Sequence, residues 1–592
     1  MFRTEERLQA IPWRYLHDFI KFQPKLFFFS SCAKRFNSRW RKYSNLSYIH
    51  KVGNEPLRYM TVGELLENAA VKYRDRPSII SRGQNVTVTF GDLLEKADRL
   101  AAGFRALGLH KGDRVGLCLP NQYEWNVVFF ACLRADLMLV ALNPAYQARE
   151  IEYCINKVGI STIIFGDKYK KQNYYELLNK VCPEIVMCEP GKLKSGNVPS
   201  LKTTIFISED SYKGTYGFDE VIKLGNENLV KSIRNNQHLI KADSPCILQF
   251  TSGTTGKAKA TVTNHFNVVN NSYYIAKRVE LNTKHHTACF SNPLFHAFGT
   301  VVNTLGSLHF GTTAVLPGIA YNPNETLDAI KEEKCTVIYG TPTMHVDLVD
   351  VQSKRKEDIN PEIVVTGGAV CSLSLFKSML EVLKVKKVKS IFGQTEATAV
   401  VFHSLPDDDW YRSTTTIGYI GDHIEAKVID SEGHVVPFGQ PGELCVRGYT
   451  TMLGYWEDED KTRDTISADG WLRTGDLFIL EENGYGKIIG RIKEMIIRGG
   501  ENIYPKEIED FLSTHPDILE AYVIGVPHER LGEEVCVFVR LKEGKTLSYE
   551  KMVEFCKGEI SYFKIPAYLR VVNDLPKTLS GKVQKFKLKE LF

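Results

Sequence analysis

The sequence predicts an α/β fold: parallel strands alternating with helices, then a small barrel-like β unit and a separate C-terminal α+β segment. Three observations carry this expectation. From Thr61 onward short apolar runs alternate with helical periodicity; between about Thr415 and Leu480 short strands are punctuated by Gly and Pro; after Gly490 a compact mix of helices and strands follows. At 592 residues the chain exceeds one ordinary core, since domains usually hold roughly 100–200 residues.

The run Arg114-Val-Gly-Leu-Cys-Leu119 reads as a strand, residues 122–134 as a helix and residues 137–142 as the next strand, which is the grammar of a βαβ unit. Apolar runs at 162–165, 246–250, 337–339, 363–365 and 390–392 continue it, so parallel sheets covered by helices are expected. Active sites of such sheets lie beyond the C-terminal ends of the strands. Residues 426–429 and 443–447 flank the turn Pro437-Phe-Gly-Gln-Pro-Gly442 and predict the antiparallel barrel-like unit. A helix at 505–514, strands at 522–526 and 535–540 and a helix at 549–558 form the last segment. No low-complexity linker intervenes, so a large domain (46–490) and a small one (491–592) are expected to meet at a short joint.

Hydrophobic residues make up 43% and charged residues 24%, the proportions of a globular enzyme. No apolar stretch approaches the ~18–20 residues that span a bilayer, so no transmembrane segment is expected. The net charge of +5 is concentrated in residues 1–45, where ten Lys and Arg face Glu5, Glu6 and Asp18, leaving −2 for the remainder. The body therefore lacks the basic face that nucleic-acid binding needs. Residues 1–45 read as a mitochondrial transit peptide, which places the protein in the matrix. The alternative, which Glu5 and Glu6 favour, is a surface-docking basic arm on a cytoplasmic protein. Thirteen scattered cysteines without a CxxC pair predict neither a zinc site nor a disulfide framework. No feature specifies an oligomeric state.

The stretch Phe250-Thr-Ser-Gly-Thr-Thr-Gly-Lys-Ala-Lys259 leaves an apolar strand as a loop suited to phosphate. Gly253 and Gly256 let the backbone approach an anion, the hydroxyls of Thr251, Ser252, Thr254 and Thr255 can donate to oxygens, and Lys257 or Lys259 supplies charge. A Walker loop needs four residues between its glycines; Gly253 and Gly256 enclose two, which excludes that class. Further along stand Pro293-Leu-Phe-His296 with Gly299, Gly367-Gly-Ala369, Phe392-Gly-Gln-Thr-Glu396, Trp471-Leu-Arg-Thr-Gly-Asp476, Gly490-Arg-Ile-Lys-Glu494 and Pro576-Lys-Thr-Leu-Ser-Gly-Lys582. Taken singly each is an ordinary turn, strand end or charged loop.

Taken together, in this order and at this spacing, they resemble the adenylate-forming superfamily of acyl-CoA synthetases, luciferases and carrier-loading adenylation domains, over almost everything after residue 50. The resemblance implies a large domain of two parallel-rich αβα sheets plus a small β-barrel unit, and a mobile C-terminal domain pivoting at Lys493. It implies ATP held by residues 251–259, with Ala258 standing where the family has proline. Phe392 would stack on adenine through its π face, Asp476 would accept the ribose hydroxyls, and Arg491 would reach the ribose or α-phosphate. Glu396, with Thr251, would hold Mg²⁺, a cation that prefers hard oxygen ligands. Lys582, Glu396 and Thr255 would act in catalysis; His296, Gly367, Gly368 and Ala369 would line the acid's site. Ala260, where the family has glycine, is expected to add a methyl near the turn and weaken pyrophosphate binding.

The implied reaction is attack of a carboxylate on the α-phosphorus of ATP, giving acyl-AMP and pyrophosphate, followed by transfer of the acyl group to coenzyme A. Asn143-Pro-Ala-Tyr146, Gly454-Tyr-Trp456 and Gly525-Val-Pro-His-Glu-Arg530 look most like medium-chain fatty acyl-CoA ligases of mitochondria. Two other readings are a luciferase-like or carrier-loading enzyme with another acceptor, and a nucleotide- or acyl-binding protein without catalysis. A chain ending at Phe592 without a carrier domain or Ser-Lys-Leu points to CoA, and intact Glu396, Asp476, Arg491 and Lys582 point to catalysis.

Overall fold

The apolar runs become strands of two large sheets. In the first, of eight strands, Thr203–Ile207, Thr162–Gly166, Arg114–Cys118, Met138–Ala141 and Pro245–Thr251 lie side by side in parallel, and Lys259–Asn264 returns antiparallel to the last of them. In the second, of nine strands, Lys387–Phe392, Ile363–Gly367, Val337–Gly340, Thr287–Phe290 and Thr313–Leu316 are parallel in that order. The strands are rich in Val and Ile and buried along their length, as strands covered on both faces must be. The helix Tyr123–Arg134 is buried on every side. Together with Phe90–Ala106 it shares one apolar core with side chains of both sheets, among them Leu117, Leu139, Val337 and Val365. The computed structural model describes residues 45–592 except 252–257, 370, 500 and 580, and Ser47–Phe592 form a single unit. The expected leader falls almost wholly outside the described residues.

The unit expected as a barrel is a sheet of five strands, Tyr48–Lys51, Ile424–Ile429, Pro441–Gly448, Leu472–Leu480 and Gly486–Arg491 in that order, antiparallel throughout. Among the described residues its first and last strands do not pair, so it is an open sheet rather than a closed barrel. Along Leu472–Leu480 burial alternates with period two, which puts Leu472, Thr474, Asp476, Phe478 and Leu480 on the inner face. An aspartate in that row is out of place for packing, and its position belongs to the site.

The C-terminal segment has its own sheet, built on the long hairpin Ile518–His528 and Gly532–Leu541, with Ile496–Arg498, Glu501–Ile503 and Tyr568–Val571 alongside. The helices Pro505–Leu512 and Tyr549–Cys556 cover it around Ile503, Ile508, Leu512, Val523 and Val537. Pro505 starts the first helix, where a missing N–H costs nothing, and Ser548 caps the second by accepting from the Lys551 N–H.

Several parallel strands end on one side, with Gly367 and Phe392 at their tips and Gly393 immediately after. A Cβ added at Gly393 would lie 2.1 Å from the Ala399 carbonyl oxygen and 2.7 Å from Val400 Cα, both backbone atoms that cannot give way. Gly393→Ala is therefore expected to destabilise the fold by about 1–3 kcal/mol, the usual cost of overpacking. Gly196→Ala, where nothing lies within 4 Å, is expected to change stability little. Denaturant midpoints of the two variants check this; equal midpoints would contradict it.

Candidate active site

Thr251, the last residue of its strand, donates its hydroxyl to Glu396 Oε1 at 3.2 Å. The Tyr455 hydroxyl donates to the same oxygen at 2.9 Å, and Lys259 Nζ sits over the Tyr455 ring, 4.6 Å from its centroid. The first sheet and the turn after Phe392 are thus joined at one carboxylate. Glu396 is half-buried, and its side-chain hydrogen bonds to other described residues go to Oε1, which leaves Oε2 for another ligand. Ser252, Gly253, Thr254, Thr255, Gly256 and Lys257 lie outside the described residues. Ala258, which follows them, accepts from the Tyr153 hydroxyl at 2.8 Å.

Asp476 and Arg491 are register partners on adjacent antiparallel strands, so the sheet itself brings them together. Arg491 Nε forms an ion pair with Asp476 Oδ1 at 2.8 Å and its Nη1 donates to the Thr474 carbonyl at 3.2 Å. Asp476 is 3% exposed, and its Oδ2 is buried with no hydrogen-bond partner among the described residues. Burial raises its carboxyl to about pH 6 against the opposing charges of Arg491 and Lys582. A buried acceptor left unpaired costs about 1–3 kcal/mol, so this oxygen is poised for a donor from a ligand. A sugar hydroxyl meets that need. Phe392 is half-buried, with its ring 6.2 Å from that of Phe478, two residues from Asp476.

Lys582 arrives from the C-terminal segment. Its loop is closed by the Thr578 N–H donating to the Lys582 carbonyl at 2.8 Å and the Lys582 N–H donating to Thr578 Oγ1 at 3.1 Å. Gly581 takes φ +78°, and a Cβ there would lie 2.6 Å from Thr341 Oγ1, so glycine is required by conformation and by space. Lys582 is exposed to solvent with protein atoms crowded around it, as expected of a group at the edge of a cleft. Burial and the Arg491 guanidinium push its pKa below the ordinary lysine value, while Glu494 and Asp476 pull it back up. Its charge also reaches His296, whose pKa falls to about 4, chiefly by burial. His296 Nδ1 accepts from the Phe298 N–H at 3.2 Å, and the neutral ring stands at the cleft rather than in sealed core.

Lys493 is exposed beyond Arg491. At Glu494 burial opposes the charge, yet Lys585, 3.1 Å away, and Lys582 hold its carboxyl below the usual range. Gly367 ends its strand buried; Gly368, at φ +83°, and Ala369 follow exposed, and a Cβ on Gly368 would lie 3.5 Å from Thr341 Cγ2. Two groups at this site were not singled out from sequence: Tyr455, noted only within Gly454-Tyr-Trp456, and Thr341, which carries no motif. The expectation for Ala260 is corrected. It lies inside the strand Lys259–Asn264, paired with Phe250, and its methyl is fully buried in the core rather than set near the turn.

A carboxylate between Thr251 and Tyr455 and a buried acceptor beside the Arg491 and Lys582 charges are groups that a nucleoside triphosphate requires. Comparison with known proteins agrees. The family model "AMP-binding enzyme" matches residues 66–456, and "AMP-binding enzyme C-terminal domain" matches residues 507–582. The mitochondrial medium-chain acyl-CoA ligase ACSF2 of Danio rerio is 41% identical, with 92% of this chain and 90% of that protein covered. The Homo sapiens protein of the same name is 40% identical over 92% of this chain and 89% of its own length. Among solved structures, ATP-bound MatB from Rhodopseudomonas palustris superposes with TM-score 0.73 at 26% identity, covering 90% of this chain and 99% of that one. The anthranilate CoA ligase AuaEII in complex with anthranoyl-AMP reaches TM-score 0.80 at 24% identity, covering 91% and 98%, which shows the shared fold. With most of its length matched by the family model and by relatives of this identity, the chain belongs to the AMP-binding, adenylate-forming enzyme family.

Proposed function

We propose that this protein is an ATP-dependent acid:CoA ligase that activates a fatty acid of medium chain length as acyl-AMP and passes the acyl group to coenzyme A in the mitochondrion. The observation that carries the reading is the meeting of the Lys582 and Arg491 charges at the buried Asp476, whose Oδ2 has no hydrogen-bond partner among the described residues. The mitochondrial medium-chain ligases at about 40% identity support the substrate and the compartment. So does the basic character of residues 1–45.

In this reading Asp476 accepts the ribose hydroxyls, Arg491 stands between ribose and α-phosphate, and Phe392 offers its ring to adenine. Residues 251–259, Thr255 among them, supply donors to the β- and γ-phosphates. Glu396 with Thr251 fits a Mg²⁺ site, because Mg²⁺ is usually held by one or two carboxylates plus substrate phosphates and neutralises phosphate charge when bound. The acid approaches past His296 and the turn 367–369. Its carboxylate oxygen attacks the α-phosphorus and pyrophosphate leaves. Lys582 offsets the repulsion between the two anions, so the step relies on positioning and charge rather than on a general base. In the second step the CoA thiol attacks the acyl carbonyl and AMP departs. We also place the domain joint at residues 490–491, with Lys493 as the pivot that withdraws Lys582 after adenylation.

Three outcomes test this reading. Lys582→Ala is expected to lose about 3–4 kcal/mol of transition-state stabilisation, a hundredfold to a thousandfold in acid-dependent ATP–pyrophosphate exchange. The same variant is expected to convert supplied acyl-AMP and CoA nearly as fast as the parent, and equal loss of both steps would refute the role. Because the ionised Asp476 binds ribose and the free carboxyl titrates near pH 6, KM for ATP is expected to rise as pH falls through 6, by roughly tenfold per unit below it. Asp476→Asn should raise KM at every pH and abolish that inflection; a KM that stays flat from pH 5 to 8 would contradict the assignment. Across acids of graded length, AMP release is expected to favour octanoate over acetate and palmitate by roughly tenfold or more, the scale that methylenes in a shaped pocket supply. Equal rates for all three would reject the chain-length assignment.

A further inference from the structure

A chain of charges that the nucleotide site does not use runs from the large domain to the base of the Lys582 loop. Arg540, on Gly532–Leu541, donates Nη2 to Asp347 Oδ1 at 2.8 Å, and its Nε lies 2.9 Å from Glu520 Oε2. Glu520 is Arg540's cross-strand neighbour in the hairpin. The same Oε2 accepts from Lys577 Nζ at 3.3 Å. Lys577 stands at the start of the loop that ends in Lys582, and its backbone bridges Val583 on the far side. Two cations and two carboxylates thus form a relay whose inner three members are well shielded: Glu520 is 6% exposed and the side chains of Arg540 and Lys577 are each 17% exposed, while Asp347 at the outer end is 27% exposed.

The receiving surface is one face of the helix Pro342–Arg355. Thr341 at its N-cap and Met344 both lie against Gly581, and Asp347 takes Arg540; a spacing of three residues puts them in one row. Packing alone does not hold this seam. A cavity of about 280 Å³ lies within it, bordered by Met344, Asp347, Lys577, Thr578 and Gly581. A loop beside an open space can shift unless directional contacts hold it, and the relay supplies two, Arg540 to Asp347 and Lys577 to Glu520, joined by the Arg540–Glu520 ion pair. A second cross-seam pair, Lys354 with Glu543 at 2.9 Å, is 54% and 85% exposed. Pairs so exposed contribute little, whereas breaking a shielded pair strands a charge in a poorly hydrated place.

We propose that Asp347, Arg540, Glu520 and Lys577 form a latch that seats the Lys582 loop for the adenylation step, acting as positioning residues that do not touch substrate. The latch rests on the function proposed above, because its purpose is to place the Lys582 ammonium at the reacting phosphate. A displacement of about 1 Å can cost a reaction on the order of a hundredfold, so loosening the seat is enough to slow chemistry without emptying the site.

The test uses the full chain and two readouts. Asp347→Asn keeps size and removes the charge at a side chain 27% exposed, so folding is expected to survive. Its acid-dependent ATP–pyrophosphate exchange is expected to fall about tenfold in kcat with KM for ATP unchanged, and thioester formation from supplied acyl-AMP to stay within about twofold. Asp347→Glu should recover most of the loss, and Lys354→Ala should behave as the parent. Amide hydrogen exchange over residues 574–584 should quicken in Asp347→Asn. Should that variant prove poorly folded, Arg540→Lys serves instead, since a single ammonium cannot reproduce the two-sided guanidinium contact. Unchanged pyrophosphate exchange, or equal loss of both half-reactions, overturns the latch. If the parent protein itself shows no acid-dependent exchange, the proposed function fails; amide protection then decides the latch alone, faster exchange supporting it and unaltered exchange overturning it.

Discussion

Two anions have to meet, and the arrangement of this protein follows from that constraint. At 4 Å a pair of unit charges repels by about 4 kcal/mol at an effective dielectric of 20, and a triphosphate brings more than one. That is the same size as the stabilisation one well-placed donor provides, about 3–4 kcal/mol. A single mobile cation in water would not suffice. In the proposed mechanism the meeting point is flanked by cations that the fold holds in place: Arg491 paired with Asp476, Lys259 against Tyr455, and Lys582 on a loop closed by Thr578. Burial and then the Arg491 guanidinium lower the pKa of Lys582 against the pull of Glu494 and Asp476, and a bound polyanion would raise it.

The sheets make that field reproducible. Parallel strands end at Thr251 in the first sheet and at Gly367 and Phe392 in the second, and Glu396 ties the first sheet to the turn that follows Phe392. The open antiparallel sheet contributes Asp476 and Arg491 as facing partners in register, so their separation is a property of strand pairing rather than of flexible side chains. Even the exclusion of side chains has a structural cause, since Gly393 and Gly581 sit where neighbouring atoms leave no room for a Cβ.

Local pattern made much of this readable before any coordinates. The alternating apolar runs announced the parallel sheets because strands buried on both faces have little freedom in composition. The motifs proposed for the nucleotide stand out in the sequence because each is a contiguous turn whose residue types suit phosphate, ribose or adenine. What stayed hidden depends on meetings between distant segments. Arg540 and Asp347 are 193 positions apart, and neither stands in a motif. Tyr455 reaches Glu396 across 59 positions. Ala260 looked like a loop residue because the strand boundary was invisible; one residue of register decides whether its methyl enters the core or faces a ligand. Barrel closure was misjudged for a related reason, because short Gly- and Pro-punctuated strands build open and closed sheets alike.

Transfer of oxygen reports most directly on where the two anions join. With the acid's carboxylate labelled by ¹⁸O and CoA present, attack on the α-phosphorus leaves one labelled oxygen on the AMP released, which mass spectrometry of the nucleotide detects. The account predicts singly labelled AMP and unlabelled pyrophosphate. Label in inorganic phosphate with ADP as the nucleotide product, or AMP carrying no label, would contradict it.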